Sequence, residues 1–150
     1  MPKNKVAIVG AAETSEIGVV ETMSQVQLHC NAALRAMNEA GLTAKDIDGI
    51  ASAEEVPWTI AAALGITPTW VDGTDVGGCA YIHHLRHAVA AIEAGHAKTI
   101  LITHGESGRS KIGTTGMDMK YTDNHRQFEL PYGATMPPTM FTLPVRRYMY

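Results

Sequence analysis

The hydrophobic positions change their spacing repeatedly along the first hundred residues. Short apolar runs that end at glycine or polar residues predict strands, whereas apolar residues three or four positions apart predict helices. Four runs predict strands, at residues 5–10, 46–52, 69–72 and 98–103. Because helical patterns separate them, the chain is predicted to be an α/β protein with a mostly parallel, mixed sheet.

The first run, KVAIVG at residues 5–10, is apolar along most of its length. A strand without polar alternation is typical of a sheet that is covered on both faces, so we expect a fully buried central strand here. We further expect residues 6–9 and residues 99–102 to be neighbours in one sheet.

Three helices are predicted between these strands. The first follows Ser24, a good N-cap residue, and runs to about residue 40, where Gly41 provides a stop. The second is short, with Pro57 in its first turn and Gly65 after its end. The apolar side of the first helix is formed by Met23, Val26, Cys30, Ala33, Leu34 and Met37.

The third helix is the most apolar of the three. It leaves a loop containing Gly73, Gly77 and Gly78, begins at about Cys79 and ends near Gly95. Alanine covers most of the surface that its larger apolar residues leave, and a helix that is apolar nearly all round is typically buried. The residues that we expect to be buried are Ile82, Leu85, Val89 and Ile92.

The chain changes character after residue 103. Residues 107–115 form a polar, glycine-bearing run, and residues 116–140 are rich in Met, Pro and Tyr without a clear period. That composition is too apolar for disorder, so it predicts a lid or a contact surface.

A chain of 150 residues, 45% of them hydrophobic, is large enough for one real core. We expect that core in an α/β domain over residues 1–115, followed over residues 116–150 by the start of a loop or lid region. A last helix is expected after Pro138 or Pro144, and the chain ends inside it, which indicates part of a longer protein.

Charge and cysteine content limit the function classes. The 12 basic and 15 acidic residues give a net charge of −3 without long runs of one sign, which argues against a nucleic-acid or anionic-membrane surface. No apolar stretch approaches the ~20 residues of a membrane span, and MPKNK leads into a predicted strand instead of a signal-peptide core, which favours the cytoplasm. Cys30 and Cys79 lie far apart in predicted helices, so we expect neither a disulfide nor a metal cluster.

Cysteine and histidine provide the candidate chemistry. A cysteine at a helix start, such as Cys79, can be a nucleophile, although a free cysteine in a helix is more often a small hydrophobic residue. His104 and Glu106 follow a predicted parallel strand, where ligands gather, and could act as a base and its orienting partner. His83 and His87 share a helix face at a metal-binding spacing, although hydrogen-bonded histidines at a helix or subunit interface are the alternative.

Three segments in order carry a family resemblance. They are KVAIVGAAET, NAALRAMNEAGLTAKDIDGI and VGGCAYIHHLRHAVAAIEAGHAKTILITHGES. This order resembles the N-terminal half of the thiolase superfamily, in particular its sterol-carrier-protein thiolases and lipid-transfer-protein-like aldolases. The resemblance implies α-β-α-β-α layers around a buried central helix. It also implies reactions at C–C bonds of acyl-CoA thioesters, with coenzyme A carried by the substrate and no bound cofactor.

The resemblance leaves three functions open. In true thiolases a cysteine opens the buried helix, and counting back from Ala94 and Gly95 puts that position on Gly78, one residue before Cys79. We therefore favour a retro-aldol lyase of a β-hydroxyacyl-CoA of steroid or lipid side-chain type, which needs a base and enolate stabilisation but no acyl-enzyme. An acetyl-CoA acyltransferase that uses Cys79 and a non-catalytic thiolase-like subunit or lipid carrier are the alternatives.

The family also implies partners and site residues. We expect a homodimer, and a DUF35 partner of the zinc-ribbon and OB-fold kind is a further option. Other catalytic residues of the family lie in a C-terminal half that this chain does not include. The site residues that we expect are Cys79, His104 and Glu106 for catalysis and Gly77, Gly78 and Tyr132 for substrate binding, with no metal.

Overall fold

The computed structural model describes residues 5–113, 123–135 and 137–150. The chain forms two compact units, Met1–Gly116 and Met117–Tyr150. The predicted boundary at residues 115–116 lies outside the described residues. The elements of the first unit are α1 (Gln25–Glu39), β1 (Gly49–Ser52), α2 (Pro57–Leu64), β2 (Trp70–Asp72), α3 (Ala80–Glu93) and β3 (Ile100–Thr103).

The three strands form one parallel sheet in the order β2-β1-β3. All four residues of β1 are buried, as expected for the central strand of a covered parallel sheet. Asp48, just before β1, ties the sheet together, since its carboxylate accepts hydrogen bonds from Lys98 N at 2.9 Å and Thr99 N at 2.8 Å. The predicted α/β class with a parallel sheet is therefore confirmed.

The helix limits follow local signals in the sequence. The Ser24 hydroxyl accepts a hydrogen bond from Gln27 N, and the Gln27 side chain accepts one from Ser24 N at 2.8 Å, which is a capping box. Gly65 closes α2 in the left-handed region with φ +70°. These two predicted helices are confirmed. Burial of large side chains at about 1.5–3 kcal/mol each stabilises a core of Ala33, Met37, Ile47, Ile50, Ile60, Ala61, Ile66 and Leu101.

The segment KVAIVG does not form the buried central strand that its composition predicted. Residues 5–10 belong to no strand, and Ile8 is 72% exposed. The end of this segment lies against α1 instead: a Cβ at Gly10 would stand 2.5 Å from Ala36 O, and Ala11 N donates to the Glu39 carboxylate. The expected pairing with residues 99–102 is therefore wrong for the described chain, in which β1 occupies the centre of the sheet.

The helix α3 is buried on one side only. Its small residues Ala88 and Ala91 are buried on the side that packs against the sheet. Ile82 is 71% exposed and Leu85 is also exposed, so the prediction of burial is wrong for both. Val89 and Ile92 are half-buried, so the prediction is not met in full for them either. The buried side of α3 is formed by three alanines and His84, and the large aliphatic residues Ile82 and Leu85 lie on the opposite side of the helix.

Among the described residues of the second unit there are two helices and a turn. α4 spans Asp123–Phe128, a 3₁₀ turn spans Leu130–Tyr132, and α5 spans Pro137–Met149 with Pro144 inside it. A last helix starting near Pro138 is thus confirmed. Among the described residues, no helix combines the length and the apolar character that crossing a membrane requires.

Candidate active site

His104 and Glu106 lie directly after β3, at the carboxyl edge of the sheet. His104 Nε2 is 3.1 Å from Glu106 Oε1, and about half of each side chain is exposed to solvent. The sequence predicted this pair, and the structure brings the two side chains together. A carboxylate in this position can orient an imidazole and stabilise its charged form, as a general base requires.

Tyr81, in the first turn of α3, covers His104. The two rings lie 4.4 Å apart between centroids, and the Tyr81 hydroxyl is buried without a hydrogen-bond partner among the described residues. Burial, followed by the negative charges of Glu54, Glu106 and Asp75, raises the pKa of Tyr81, so the phenol keeps its proton. The sequence analysis missed Tyr81 because a single tyrosine in an apolar helix looks like an ordinary packing residue.

Glu54 is the second residue that the sequence analysis missed. One ligand atom from each of Glu54, His104 and Glu106 lies within 4.8 Å of the others, and among the described residues no other set of three acidic, histidine or cysteine side chains is this close. A cation could fit between such groups, but Glu106 already contacts His104 at 3.1 Å and forms a hydrogen bond with Glu54. We therefore treat them as proton-transfer groups and assign no metal.

Cys79 forms the N-cap of α3, as the pattern predicted. Its side chain is exposed, and its Sγ donates a weak hydrogen bond to Val76 O at 3.5 Å. Gly77 adopts φ +77° just before it, and a Cβ at Gly78 would meet open space. The described hydrogen bonds do not join Cys79 to His104, so its catalytic role stays a prediction, as does substrate binding at the two glycines.

Tyr132 lies in the second unit, at the end of the 3₁₀ turn. Its side chain is almost fully exposed. Substrate binding by Tyr132 therefore stays a prediction that this structure does not test.

Two histidines of α3 attach the helix to the last residue of β2 and to the loop that follows it. His87 Nδ1 lies 2.7 Å from Asp72 Oδ2, and His84 Nε2 donates to Thr74 O at 2.8 Å. Burial alone would raise the pKa of Asp72, but hydrogen bonds from Thr74 and His87 outweigh it and lower that pKa. The hydrogen-bonded alternative is thus confirmed for His84 and His87, while metal binding by His83 and His87 has no third described ligand nearby.

His29 supports the site from behind. It is fully buried on α1, and its Nδ1 lies 2.9 Å from Thr103 Oγ1. Burial, followed by the charge of His104, lowers the pKa of His29 to about 4, so its ring is neutral at pH 7. Gly105 makes this approach possible, because a Cβ there would stand 2.8 Å from the His29 ring.

A cavity of about 930 Å³ opens beside these residues. Tyr81, His104 and Glu106 lie at its polar part, while α3 contributes Leu85 and Val89 from its open side. The wall therefore combines a group that can move a proton with apolar surface that can hold a hydrocarbon, which is typical of sites for small apolar molecules.

Comparisons with known proteins agree with the α/β fold described above. No protein-family profile matches the chain. The 17-hydroxy-3-oxo-4-pregnene-20-carboxyl-CoA lyase of Mycobacterium tuberculosis is 26% identical over 160 residues, a match that covers 100% of this chain and 41% of that protein. The solved Ltp2-ChsH2(DUF35) aldolase is 27% identical with a TM-score of 0.69, covering 95% of this chain and 39% of the other. A monomeric SCP2-thiolase like protein type 1 from Mycobacterium smegmatis is 29% identical with a TM-score of 0.54, covering 63% of this chain and 22% of the other.

The fold and these comparisons together define the class of protein to which the chain is similar. The chain is a thiolase-fold α/β protein. Within that fold it is similar to the lipid-transfer-type aldolases and acyl-CoA lyases. It spans about two fifths of the length of those relatives, 41% of the lyase and 39% of the aldolase.

Proposed function

We propose that the protein carrying this chain is a lyase that cleaves a β-hydroxyacyl-CoA by a retro-aldol reaction, with a steroid or similar lipid side chain as substrate. The observation that supports this most is the match to the Mycobacterium tuberculosis lyase along the whole of this chain. The likeness to the solved aldolase over 95% of the chain agrees with it.

The chemistry of the site fits such a reaction. A retro-aldol lyase removes the proton of the β-hydroxyl group while the C–C bond breaks, and the thioester enolate leaves without a covalent acyl-enzyme. His104, oriented by Glu106 at 3.1 Å, is the base in this proposal. No bound cofactor is needed, since coenzyme A arrives and leaves as part of the thioesters.

Two assembly partners belong to the proposal. The name of the solved neighbour includes a DUF35 component, so we propose a DUF35 partner for this protein as well. We also propose a homodimer, because the open side of α3 is apolar and exposed apolar patches often mark interfaces. Light scattering at micromolar concentration, with and without the DUF35 protein, tests both proposals. A stable monomer that does not bind the DUF35 protein would contradict both.

The function itself is tested with the complete natural protein and its DUF35 partner. Incubation with 17-hydroxy-3-oxo-4-pregnene-20-carboxyl-CoA should give a steroid ketone and a shorter acyl-CoA. A second incubation with a β-ketoacyl-CoA and free coenzyme A should give no product. Thiolytic cleavage in the second reaction, with none in the first, would favour the acyltransferase that uses Cys79.

A further inference from the structure

Glu54 occupies the same edge of the sheet as the proposed base. β1 ends at Ser52 and β3 ends at Thr103, and these two residues are paired in register in adjacent parallel strands. Glu54 follows β1 by two residues, and His104 follows β3 by one. The parallel arrangement therefore brings Glu54 to the carboxyl edge beside His104, although fifty positions separate them along the chain.

The backbone at Glu54 is held in a conformation that its own side chain does not favour. Glu54 has φ +70°, a left-handed value that costs a residue with a Cβ about 1 kcal/mol. The buried Ser52 hydroxyl donates to Glu55 O at 2.7 Å and fixes the turn on both sides of Glu54. Glycine would adopt this backbone conformation at a lower cost. The presence of glutamate here therefore indicates a role for its side chain.

The surroundings of Glu54 contain charges of both signs. Glu106 and Asp75 place negative charge near its carboxyl group, and His104 lies on the same side. Burial, then the charge of Glu106 and a hydrogen bond with Glu106, raise the pKa of Glu54, while His104 acts in the opposite direction. Tyr81 is the remaining titratable neighbour, and its own pKa is raised by the charge of Glu54, so it stays neutral.

We propose that Glu54 is a third catalytic group of this site, which returns the proton that His104 removes. The proposal rests on the lyase function proposed above. Glu54, His104 and Glu106 present atoms within 4.8 Å of one another. The 3.1 Å contact between His104 and Glu106 and the hydrogen bond between Glu106 and Glu54 give the proton a path between them. The Tyr81 hydroxyl is buried nearby without a described partner, whereas the three proton-transfer side chains are themselves exposed to solvent.

The reaction then balances within the site. His104, oriented by Glu106, takes the proton of the β-hydroxyl group, the carbonyl double bond forms and the Cα–Cβ bond breaks. The electron pair of that bond enters the thioester enolate, and Glu54 donates its proton to the enolate α-carbon. The proton held by His104 passes to Glu54 and restores both groups, so one carbonyl product and one acyl-CoA form with no net uptake of protons.

Replacing the carboxyl group tests this role. In the complete protein, Glu54→Gln should lower kcat by about 100-fold or more, as loss of general acid–base catalysis does, with little change in KM. Glu55→Gln is the matched control, because it alters the neighbouring glutamate and keeps an oxygen for Val56 N, which the Glu55 carboxylate binds at 3.1 Å. The wild-type rate should fall as the pH rises through the raised pKa of Glu54 and this group loses its proton, and this fall should be absent from the residual activity of Glu54→Gln.

A Glu54→Gln enzyme with wild-type kcat and pH profile overturns the proposal. If that variant fails to fold, Glu54→Asp keeps a shorter carboxyl group and should give a reduced kcat with a shifted alkaline limb, whereas an unchanged limb again overturns it.

A wild-type protein without lyase activity would refute the proposed function. In that case, NMR of the side-chain carboxyl carbons tests separately whether Glu54 shares a proton. A shared proton should give two coupled titration steps for Glu54 and Glu106, of which one disappears in Glu54→Gln. Two independent single-step titrations would refute the sharing of a proton.

Discussion

His29 Nδ1 lies 2.9 Å from the hydroxyl oxygen of Thr103, inside the protein where both residues are buried. This contact joins α1 to the last residue of β3, immediately before His104. A charged imidazolium at His29 would have no water around it, and His104 would oppose its charge. The support behind the proposed base therefore depends on a histidine that stays neutral.

Stability should consequently fall in mild acid. The unfolded chain binds a proton at His29 below the ordinary pKa of 6.5, but the folded chain binds it only below about 4. The contribution of neutral His29 is thus complete above pH 6.5 and is lost as the pH falls from 6.5 to about 4, by about 3 kcal/mol in total. Urea unfolding between pH 4 and 8 measures it.

Two variants separate His29 from other titrating groups. His29→Gln should flatten the dependence of the unfolding free energy on pH in this window, because glutamine does not titrate. His83→Gln, at an exposed histidine of α3, should keep the wild-type dependence. Equal slopes for wild type and His29→Gln would contradict the assignment.

The two sides of α3 should respond differently to the same substitution. Ala91→Asp places a carboxylate against the sheet without a partner and should cost about 3 kcal/mol or more. Ile82→Asp lies on the open side and should change the free energy of unfolding of this 150-residue chain by no more than about 0.5 kcal/mol. Thermal denaturation of both variants, at a concentration where the chain is monomeric, measures the difference. A loss at Ile82 as large as that at Ala91 would show that another part of the same chain covers the open side.

Cys79→Ala should leave the proposed lyase reaction nearly intact. No step of a retro-aldol cleavage forms a bond to sulfur, and the substitution removes an exposed atom with one weak hydrogen bond. Steady-state kinetics of the complete protein measures the effect, with His104→Ala as a control that should lose most activity. Mass spectrometry that finds an acyl group on Cys79 during turnover would instead assign the nucleophilic role to this cysteine.

Glu54→Gly should leave the folded chain as stable as before, or stabilise it by up to about 1 kcal/mol. Glycine adopts φ +70° without the steric cost of a Cβ, although it loses more backbone entropy on folding. Glu55→Gly, one residue along, gains no such relief and should cost about 0.5–1 kcal/mol. Chemical denaturation of the two variants gives the comparison, and a clear loss at Glu54 would mean that its side chain stabilises the fold.

Local signals in the sequence predicted the parts of the fold that are determined locally. The capping box at Ser24 and the left-handed Gly65 act on the backbone within a few residues, so the limits of α1 and α2 could be predicted correctly. His104 and Glu106 are two residues apart after one strand, and their contact was predictable for the same reason.

The errors concern contacts between distant segments. Burial of Ile8 or Ile82 depends on which segment lies beside it, and an apolar pattern does not identify that neighbour. Glu54 meets His104 only because β1 and β3 are adjacent, and no local pattern states the order of strands. A positive φ at a glutamate also has no signal in a single sequence, because glycine or asparagine is the usual residue there.

The position of β1 also sets the order in which the chain can fold. Gly49 pairs with Trp70 and Ile100, both of which are synthesised after it, and the Asp48 carboxylate bonds to Lys98 and Thr99 from the same late segment. Closing these loops costs entropy before the contacts repay it. On a ribosome, the most buried strand of the sheet therefore stays exposed until β3 has emerged, which makes it a natural site for chaperone binding and for aggregation if synthesis stalls.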